Sequence, residues 1–169
     1  EELEERKTRL RDALAAFDAD ANACLDFAQT HPASNGFLGT FGMRLGGHLA
    51  LSAVLDSRVS AAVCLYPTEL QVDILTGGRC GDTLERLEAL QAECLFIWGR
   101  QDSHIPAKAR SRIRARLDET NTCYEWLEFN AAHAFMRDEG PRYDPALTLR
   151  SLAAALALFQ RKSVDAVAI

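Results

Sequence analysis

Two short apolar runs limit the folds open to this chain more than any other feature. Residues 59–66, from Val59 to Tyr66, read VSAAVCLY, and residues 94–98 read CLFIW. Runs of this length without polar alternation are typical of parallel strands that are buried on both faces. Weaker strand patterns occur at residues 37–41 and 124–129, and helix-forming segments separate all four. This alternation predicts an α/β fold, a mainly parallel sheet flanked by helices with right-handed crossovers.

Turn residues separate the other predicted helices and loops of the chain. We predict one long or two consecutive amphipathic helices over residues 1–30, with the Asp18-Ala19-Asp20 stretch as a cap of the second, and a surface loop over 68–82 that overhangs the site. Further helices are predicted at 45–55, 83–90, 107–117 and 145–161. The basic residues of the third of these are expected to face solvent: Lys108, Arg110, Arg112, Arg114 and Arg116. A single domain over residues 1–162 and a tail over 163–169 complete the prediction.

Composition excludes several classes of protein. The chain has 169 residues, 48% hydrophobic and 25% charged, with a formal net charge of −5. These values indicate one globular domain and no basic surplus for binding nucleic acid. No apolar run approaches the roughly 20 residues that span a bilayer, and the acidic opening EELEE is unlike a secretory signal. We therefore expect a cytoplasmic or organelle-matrix protein, not a secreted one.

The five cysteines predict no cofactor or disulfide framework. Cys24, Cys64, Cys80, Cys94 and Cys123 are odd in number and scattered, without a C-x-x-C pair. Neither structural zinc nor a disulfide scaffold has this spacing. We expect reduced thiols and no metal or other cofactor.

A glycine-rich turn follows the first predicted strand. Residues 41–47 read FGMRLGG and lead directly into a helix-forming segment. A turn of the form G-x-nucleophile-x-G exposes one side chain above a parallel sheet, and Gly42 and Gly46 fit its two small positions. Arg44 lies where a serine or cysteine would attack. A guanidinium stays protonated and has no lone pair with which to attack, so Arg44 is a substituted nucleophile.

Two further residues complete a recognisable order along the chain. Asp102 follows the third predicted strand and His133 follows the fourth, so both are expected at the carboxyl edge of the sheet with Arg44. A nucleophile, then an acid, then a histidine is the triad order of α/β-hydrolases. In that arrangement Asp102 accepts a hydrogen bond from the His133 ring and fixes its tautomer.

The surrounding motifs resemble those of the dienelactone hydrolases, a carboxymethylenebutenolidase-like family of the α/β-hydrolase superfamily. Residues 42–50 are similar to the family's G-x-C-x-G-G elbow, 98–106 to its acid loop, and 132–135 with 142–146 to its histidine loop. The resemblance runs over about residues 23–159. It implies Asp102 as the acid, His133 as the base, Arg44 in place of the cysteine, and the backbone N–H of Leu45 as an oxyanion donor. It also implies a longer domain, whose opening strands and second oxyanion donor have no counterpart here.

Other polar residues have simpler roles. His104 follows the acid too closely to serve as the base and is expected to shape its loop, whereas His48 is expected to pack or cap the elbow helix. Ser34, Ser103 and Cys80 could in principle be displaced nucleophiles, but none lies on an elbow.

Two readings of Arg44 and two functions follow. Arg44 either forms an ion pair with Asp102 that fills a dead site, which we favour, or holds a small anionic ligand at the helix N-terminus. We expect the protein to be a pseudo-hydrolase with a degenerate triad that acts as a binding or structural subunit. The alternative is an active hydrolase on small ester or lactone substrates that uses Asp102 and His133.

The predicted strand order also implies a partner. We expect the order 59–66, 37–41, 94–98, 124–129 from the resemblance, which leaves the Val59 to Tyr66 strand at an open edge. An open apolar edge invites association, so a protein partner or homo-oligomer is expected to cover it.

Overall fold

The computed structural model describes residues 2–68, 70 and 83–167. In chain order the elements are α1 (Glu2–Thr30), β1 (Gly39–Met43), α2 (Leu45–Ala53), β2 (Ala61–Leu65), a 3₁₀ helix (Glu85–Ala89), β3 (Glu93–Gly99), α3 (Ala107–Glu119), β4 (Tyr124–Phe129) and α4 (Pro145–Val167). The α/β prediction is confirmed. Most of the predicted loop over 68–82, with Cys80, lies outside the described residues.

The four strands form one parallel sheet in the order β1-β2-β3-β4. The predicted order is wrong, because it placed β2 at the edge. All five residues of β2 are buried between β1 and β3, with Val63 paired to both Phe41 and Leu95. A run that is apolar on both faces can bury all its side chains only in the sheet interior. The edge strand is β1 instead, so the partner predicted to cover the Val59 to Tyr66 edge has no edge there to cover.

Several boundaries and exposures also differ from the prediction. Of the two alternatives predicted for residues 1–30, the structure has the single long helix, α1, so Asp18 and Asp20 cap nothing. α4 continues to Val167, where a tail was predicted. Arg110 does not face solvent with Lys108, Arg112 and Arg114. It is buried, donating from Nη1 to the Ile105 carbonyl at 2.7 Å and from Nε to Glu128 at 3.2 Å.

The helices α2 and α4 cover opposite faces of β1. Thr40 Oγ1 donates to the Ala50 carbonyl of α2 at 3.0 Å, whereas a Cβ on Gly39 would lie 2.9 Å from Phe159 of α4. Consecutive residues of a strand point to opposite faces, so the two helices sandwich the sheet. The core between these layers includes Trp98, Phe96 and Leu51.

The turn between β1 and α2 is the predicted elbow. Arg44 has φ 57° and ψ −125°, a strained conformation for a residue with a side chain. A Cβ on Gly42 would lie 1.9 Å from the Gly46 carbonyl oxygen, so Gly42 is required. Gly46, the predicted second small position, is not tight, because a Cβ there would meet nothing within 4 Å. The second tight position is Gly47, where a Cβ would lie 3.1 Å from Pro67.

Substitutions at these glycines test the elbow. We expect Gly42→Ala to lower the free energy of unfolding by about 3 kcal/mol or more, because backbone must move to admit the methyl group. Gly46→Ala is the matched control, and we expect it to be neutral or stabilising by up to about 1 kcal/mol, since alanine favours the helix. Urea denaturation of the two variants measures both values, and equal losses would contradict this geometry.

Candidate active site

The structure brings the predicted acid and histidine together. Both follow the carboxyl ends of neighbouring strands, Asp102 after β3 and His133 after β4. Asp102 Oδ2 and His133 Nδ1 lie 2.6 Å apart, and both side chains are almost completely buried. A short contact in such an enclosed setting is the geometry of a carboxylate that orients an imidazole.

Backbone contacts align the two loops that carry this pair. A Cβ on Gly99 would lie 2.4 Å from the Ala131 carbonyl oxygen, so only glycine lets the end of β3 approach the histidine loop. The N–H of Arg100 donates to the Phe129 carbonyl at 2.8 Å, and the N–H of Gln101 donates to the Ala131 carbonyl at 2.9 Å. Sequence reasoning missed this role of Gly99, although a glycine at a strand end beside the acid loop is a usable signal.

The acid loop holds Asp102 as a carboxylate. The N–H groups of His104 and Ile105 donate to Oδ1 at 2.8 and 3.2 Å, while Oδ2 faces His133. Burial by itself raises the pKa of Asp102. The hydrogen bond and charge of His133, with the two backbone donors, outweigh burial and lower that pKa below its ordinary value.

Aromatic rings enclose His133. Tyr66, which sequence reasoning did not assign to the site, lies edge-on to the imidazole at 5.4 Å, and the His104 ring lies 4.4 Å from it. His133 Nε2 is buried and has no hydrogen-bond partner among the described residues. In a working triad this nitrogen accepts the proton of the nucleophile.

Tyr66 connects the histidine with the elbow. Its hydroxyl donates to Met43 Sδ at 3.3 Å, and its φ of 36° is unusual for a bulky residue. Burial raises the pKa of Tyr66 to about 12, although a backbone hydrogen bond at Met136 and the charge of Arg44 act in the opposite direction. The phenol therefore stays protonated at neutral pH.

Arg44 does not pair with Asp102, so the favoured prediction of an ion pair is wrong. Its side chain is exposed, and it forms no salt bridge with any residue that the structure describes. Asp102 already accepts three hydrogen bonds, so pairing with a guanidinium would stabilise the carboxylate little further. In the described part of the chain the N–H groups of Leu45 and Gly46 also lack acceptors. One charged group and two backbone donors thus remain available at the elbow.

The other candidates that the structure describes, His48, Ser34 and Ser103, have simpler roles. His48 is buried and bonds Thr83 Oγ1 at 3.1 Å, and burial lowers its pKa despite a backbone hydrogen bond at Thr68, so it packs as predicted. Ser34 accepts from the N–H of Gly36 within a turn, and Ser103 is exposed.

The described cysteines are free thiols, and two of them are deeply buried. Cys24 and Cys123 are exposed, whereas Cys64 and Cys94 lie inside the sheet. Burial raises the pKa of Cys64 well above its ordinary value and that of Cys94 to about 12. The two buried thiols are therefore poor nucleophiles.

Metal binding competes with the acid–histidine contact. Asp102, His104 and His133 each offer a ligand atom, and these atoms lie within 4.8 Å of one another. The closest two already bond each other, so a metal held through them would have to break that contact. The geometry is better described as an acid–histidine dyad with the His104 ring lying beside it, tilted by 33°.

Comparison with known proteins identifies the family of the chain. The family model described as "Dienelactone hydrolase family" matches residues 4–163. The chain belongs to the dienelactone hydrolase family. The match begins well before residue 23, where the sequence resemblance was expected to start, and so includes most of α1.

Related sequences and structures extend this result. A Saccharomyces cerevisiae protein provisionally named carboxymethylenebutenolidase is 35% identical over 161 residues, 91% of this chain and 59% of the relative. The carboxymethylenebutenolidase of Pseudomonas putida is 28% identical over 159 residues, 90% of this chain and 59% of that enzyme. A dienelactone hydrolase-like promiscuous phosphotriesterase from metagenomic libraries shares the fold, with a TM-score of 0.73 and 19% identity over 92% of this chain and 65% of that one.

The chain therefore spans about three-fifths of the length of the curated relatives it matches. None of the helices in the described residues is long and apolar enough to cross a membrane.

Acid titration of the dyad gives a second test. Because the pKa of Asp102 is depressed in the folded state, its stabilisation is present above the ordinary value of 3.8 and is lost as the pH falls through the lower folded pKa. We expect Asp102→Asn to cost about 1–3 kcal/mol at pH 7 and progressively less below about pH 4. Denaturant unfolding at several pH values measures this difference. Asp20→Asn, on exposed α1, is the control, and a pH-independent cost at Asp102 would contradict the argument.

Proposed function

We propose that this dienelactone hydrolase family member is a pseudo-hydrolase that binds small anions at its elbow and does not cleave esters through a covalent intermediate. The observation that carries the proposal is the contrast at the site. The Asp102–His133 dyad is assembled at 2.6 Å, whereas the elbow position at which the family motif has a cysteine holds Arg44.

Without a nucleophile, the groups that the site retains cannot support covalent ester hydrolysis. An acid–base dyad cannot form an acyl intermediate, and removal of a triad nucleophile costs about 10⁶ in kcat where it has been measured. Burial of His133 Nε2 also argues against a water molecule as the replacement nucleophile, because such a water needs access to that nitrogen.

The groups at the elbow suit an anion. The exposed Arg44 guanidinium lies beside the N-terminus of α2, where the N–H groups of Leu45 and Gly46 have no acceptor in the described chain. A positive side chain, free amides and the helix dipole all favour negative charge, and a guanidinium matches a carboxylate with two parallel hydrogen bonds. Small carboxylates are therefore the proposed ligand class.

Restoring the nucleophile tests the loss of catalysis. We expect the native chain to hydrolyse p-nitrophenyl acetate at the rate of buffer, and Arg44→Cys to exceed it by about 10²-fold or more, because the thiol gains His133 as its base. Stopped-flow absorbance measures the rate and any burst.

His133→Ala added to Arg44→Cys is the matched control and should abolish the gain. Hydrolysis by the native chain that disappears in His133→Ala would instead support the active hydrolase alternative and reject the pseudo-hydrolase.

Binding of acetate tests the anion site. We expect Arg44→Ala to weaken acetate binding about tenfold or more, the effect of one charge-assisted hydrogen-bonded pair. Titration calorimetry at low ionic strength measures both dissociation constants. Arg112→Ala removes an exposed arginine of α3 and should leave binding unchanged. Equal or absent binding in the native chain and in Arg44→Ala would reject the anion site.

A further inference from the structure

Two arginines of α3 pack against alternate residues of β4. Arg110 and Arg114 lie four residues apart and so share one face of the helix. Arg114 Nε donates to the Tyr124 hydroxyl at 3.3 Å, and its guanidinium lies over the Trp126 ring, 5.8 Å from the centroid. Arg110 Nε donates to Glu128 Oε1 at 3.2 Å. Because Tyr124, Trp126 and Glu128 alternate along β4, both arginines hold α3 against one face of that strand.

The two arginines differ in what else they contact. Arg114 is exposed, whereas Arg110 is only 4% exposed, and an arginine is rarely buried to that extent unless its charge is paired. Arg110 Nη1 reaches past β4 and donates to the Ile105 carbonyl at 2.7 Å. The guanidinium of Arg110 therefore joins α3 and β4 to the end of the acid loop.

Ile105 connects this guanidinium with the acid. Its N–H donates to Asp102 Oδ1 at 3.2 Å and its carbonyl accepts from Arg110, so both backbone groups of a fully buried residue are used. Asp102 Oδ2 in turn lies 2.6 Å from His133 Nδ1. A continuous series of hydrogen bonds thus runs from Arg110 to the imidazole.

Glu128 holds the guanidinium of Arg110 in place. Trp126 Nε1 donates to the same carboxylate oxygen at 3.0 Å, and Arg100, at the start of the acid loop, lies 3.9 Å from the other oxygen. Burial by itself raises the pKa of Glu128. The hydrogen bonds of Trp126 and Arg110 and the charges of Arg110 and Arg100 outweigh burial and lower that pKa below its ordinary value, so Glu128 is ionised at neutral pH.

From these contacts we infer that Arg110 is a positioning residue of the Asp102–His133 dyad. It acts through the acid loop, by fixing Ile105 so that the Ile105 N–H stays directed at Asp102 Oδ1. A carboxylate that loses one of its donors rotates more freely and presents Oδ2 to His133 less often. The planar fork of arginine suits this role, because one rigid group bonds the Ile105 carbonyl and Glu128 together.

Proton NMR of the whole chain tests the inference. The proton in a short hydrogen bond between His133 Nδ1 and a carboxylate resonates far downfield of other protein protons, and its loss in His133→Ala assigns it. We expect this resonance in the native chain, and its loss or a marked upfield shift in Arg110→Met. Arg114→Met is the matched control, because it removes an arginine that bonds β4 from the same helix, and it should keep the native resonance.

The rate of the restored enzyme gives a second measurement. In the Arg44→Cys background we expect Arg110→Met to lower kcat about tenfold or more and to leave KM nearly unchanged, because only the orientation of the base is altered. This measurement alone rests on the proposed function. If Arg44→Cys gains no activity, the proposed function fails, whereas the NMR comparison still decides the role of Arg110.

Three results would overturn the inference. The first is an unchanged downfield resonance in Arg110→Met. The second is an equal change in Arg114→Met, which would mean that both arginines only stabilise the contact of α3 with β4. The third is the absence of the resonance from the native chain at low temperature, because Arg110 would then have no dyad contact to position. Circular dichroism checks folding, and Arg110→Lys, which keeps the charge without the fork, replaces Arg110→Met if that variant is unfolded, with a change in the same direction expected.

Discussion

The close approach of Gly42 to the carbonyl of Gly46 is the constraint on which the elbow depends. It lets β1 turn into α2 within one residue, and the turn holds Arg44 at φ 57°. The same turn leaves the N–H groups of Leu45 and Gly46 at the carboxyl edge of the sheet. The backbone of a hydrolase elbow is thus preserved independently of the side chain at its apex. Strain of this kind persists only where surrounding packing enforces it, and here backbone atoms enforce it.

The acid–histidine dyad is held independently of the residue at the elbow apex. Asp102 is satisfied by His133 and two backbone donors, and Arg110 fixes its loop by bonding the Ile105 carbonyl. Arg44 therefore gives no support to the carboxylate. The buried His133 Nε2 has no partner among the described residues, which costs about 1–3 kcal/mol. A folded domain can tolerate that loss, so an intact dyad is weak evidence for activity.

The sequence predicted those features that local pattern determines. Alternating apolar runs fixed the α/β class, and the turn residues around Arg44, Asp102 and His133 placed all three at one edge of the sheet. The strand order was wrong because it was taken from the resemblance and not from the residues, although the two-sided apolar character of β2 already indicated an interior strand. The Arg44–Asp102 pair was wrong because Asp102 bonds His133 instead, a contact that depends on the tertiary approach at Gly99. Burial of Arg110 likewise depends on Glu128, a partner in β4 that helical periodicity cannot reveal.

One strand serves both as the edge of the sheet and as the support of the site. Met43 is the last residue of β1, its side chain is partly exposed on the α4 face, and it accepts the hydrogen bond of Tyr66, which packs against His133. Tyr66 thus links the last residue of β1 to the imidazole, so the turn that carries Arg44 and the loop that carries His133 pack against one shared side chain. Because that side chain is buried, a displacement at the elbow has to be accommodated at His133 as well.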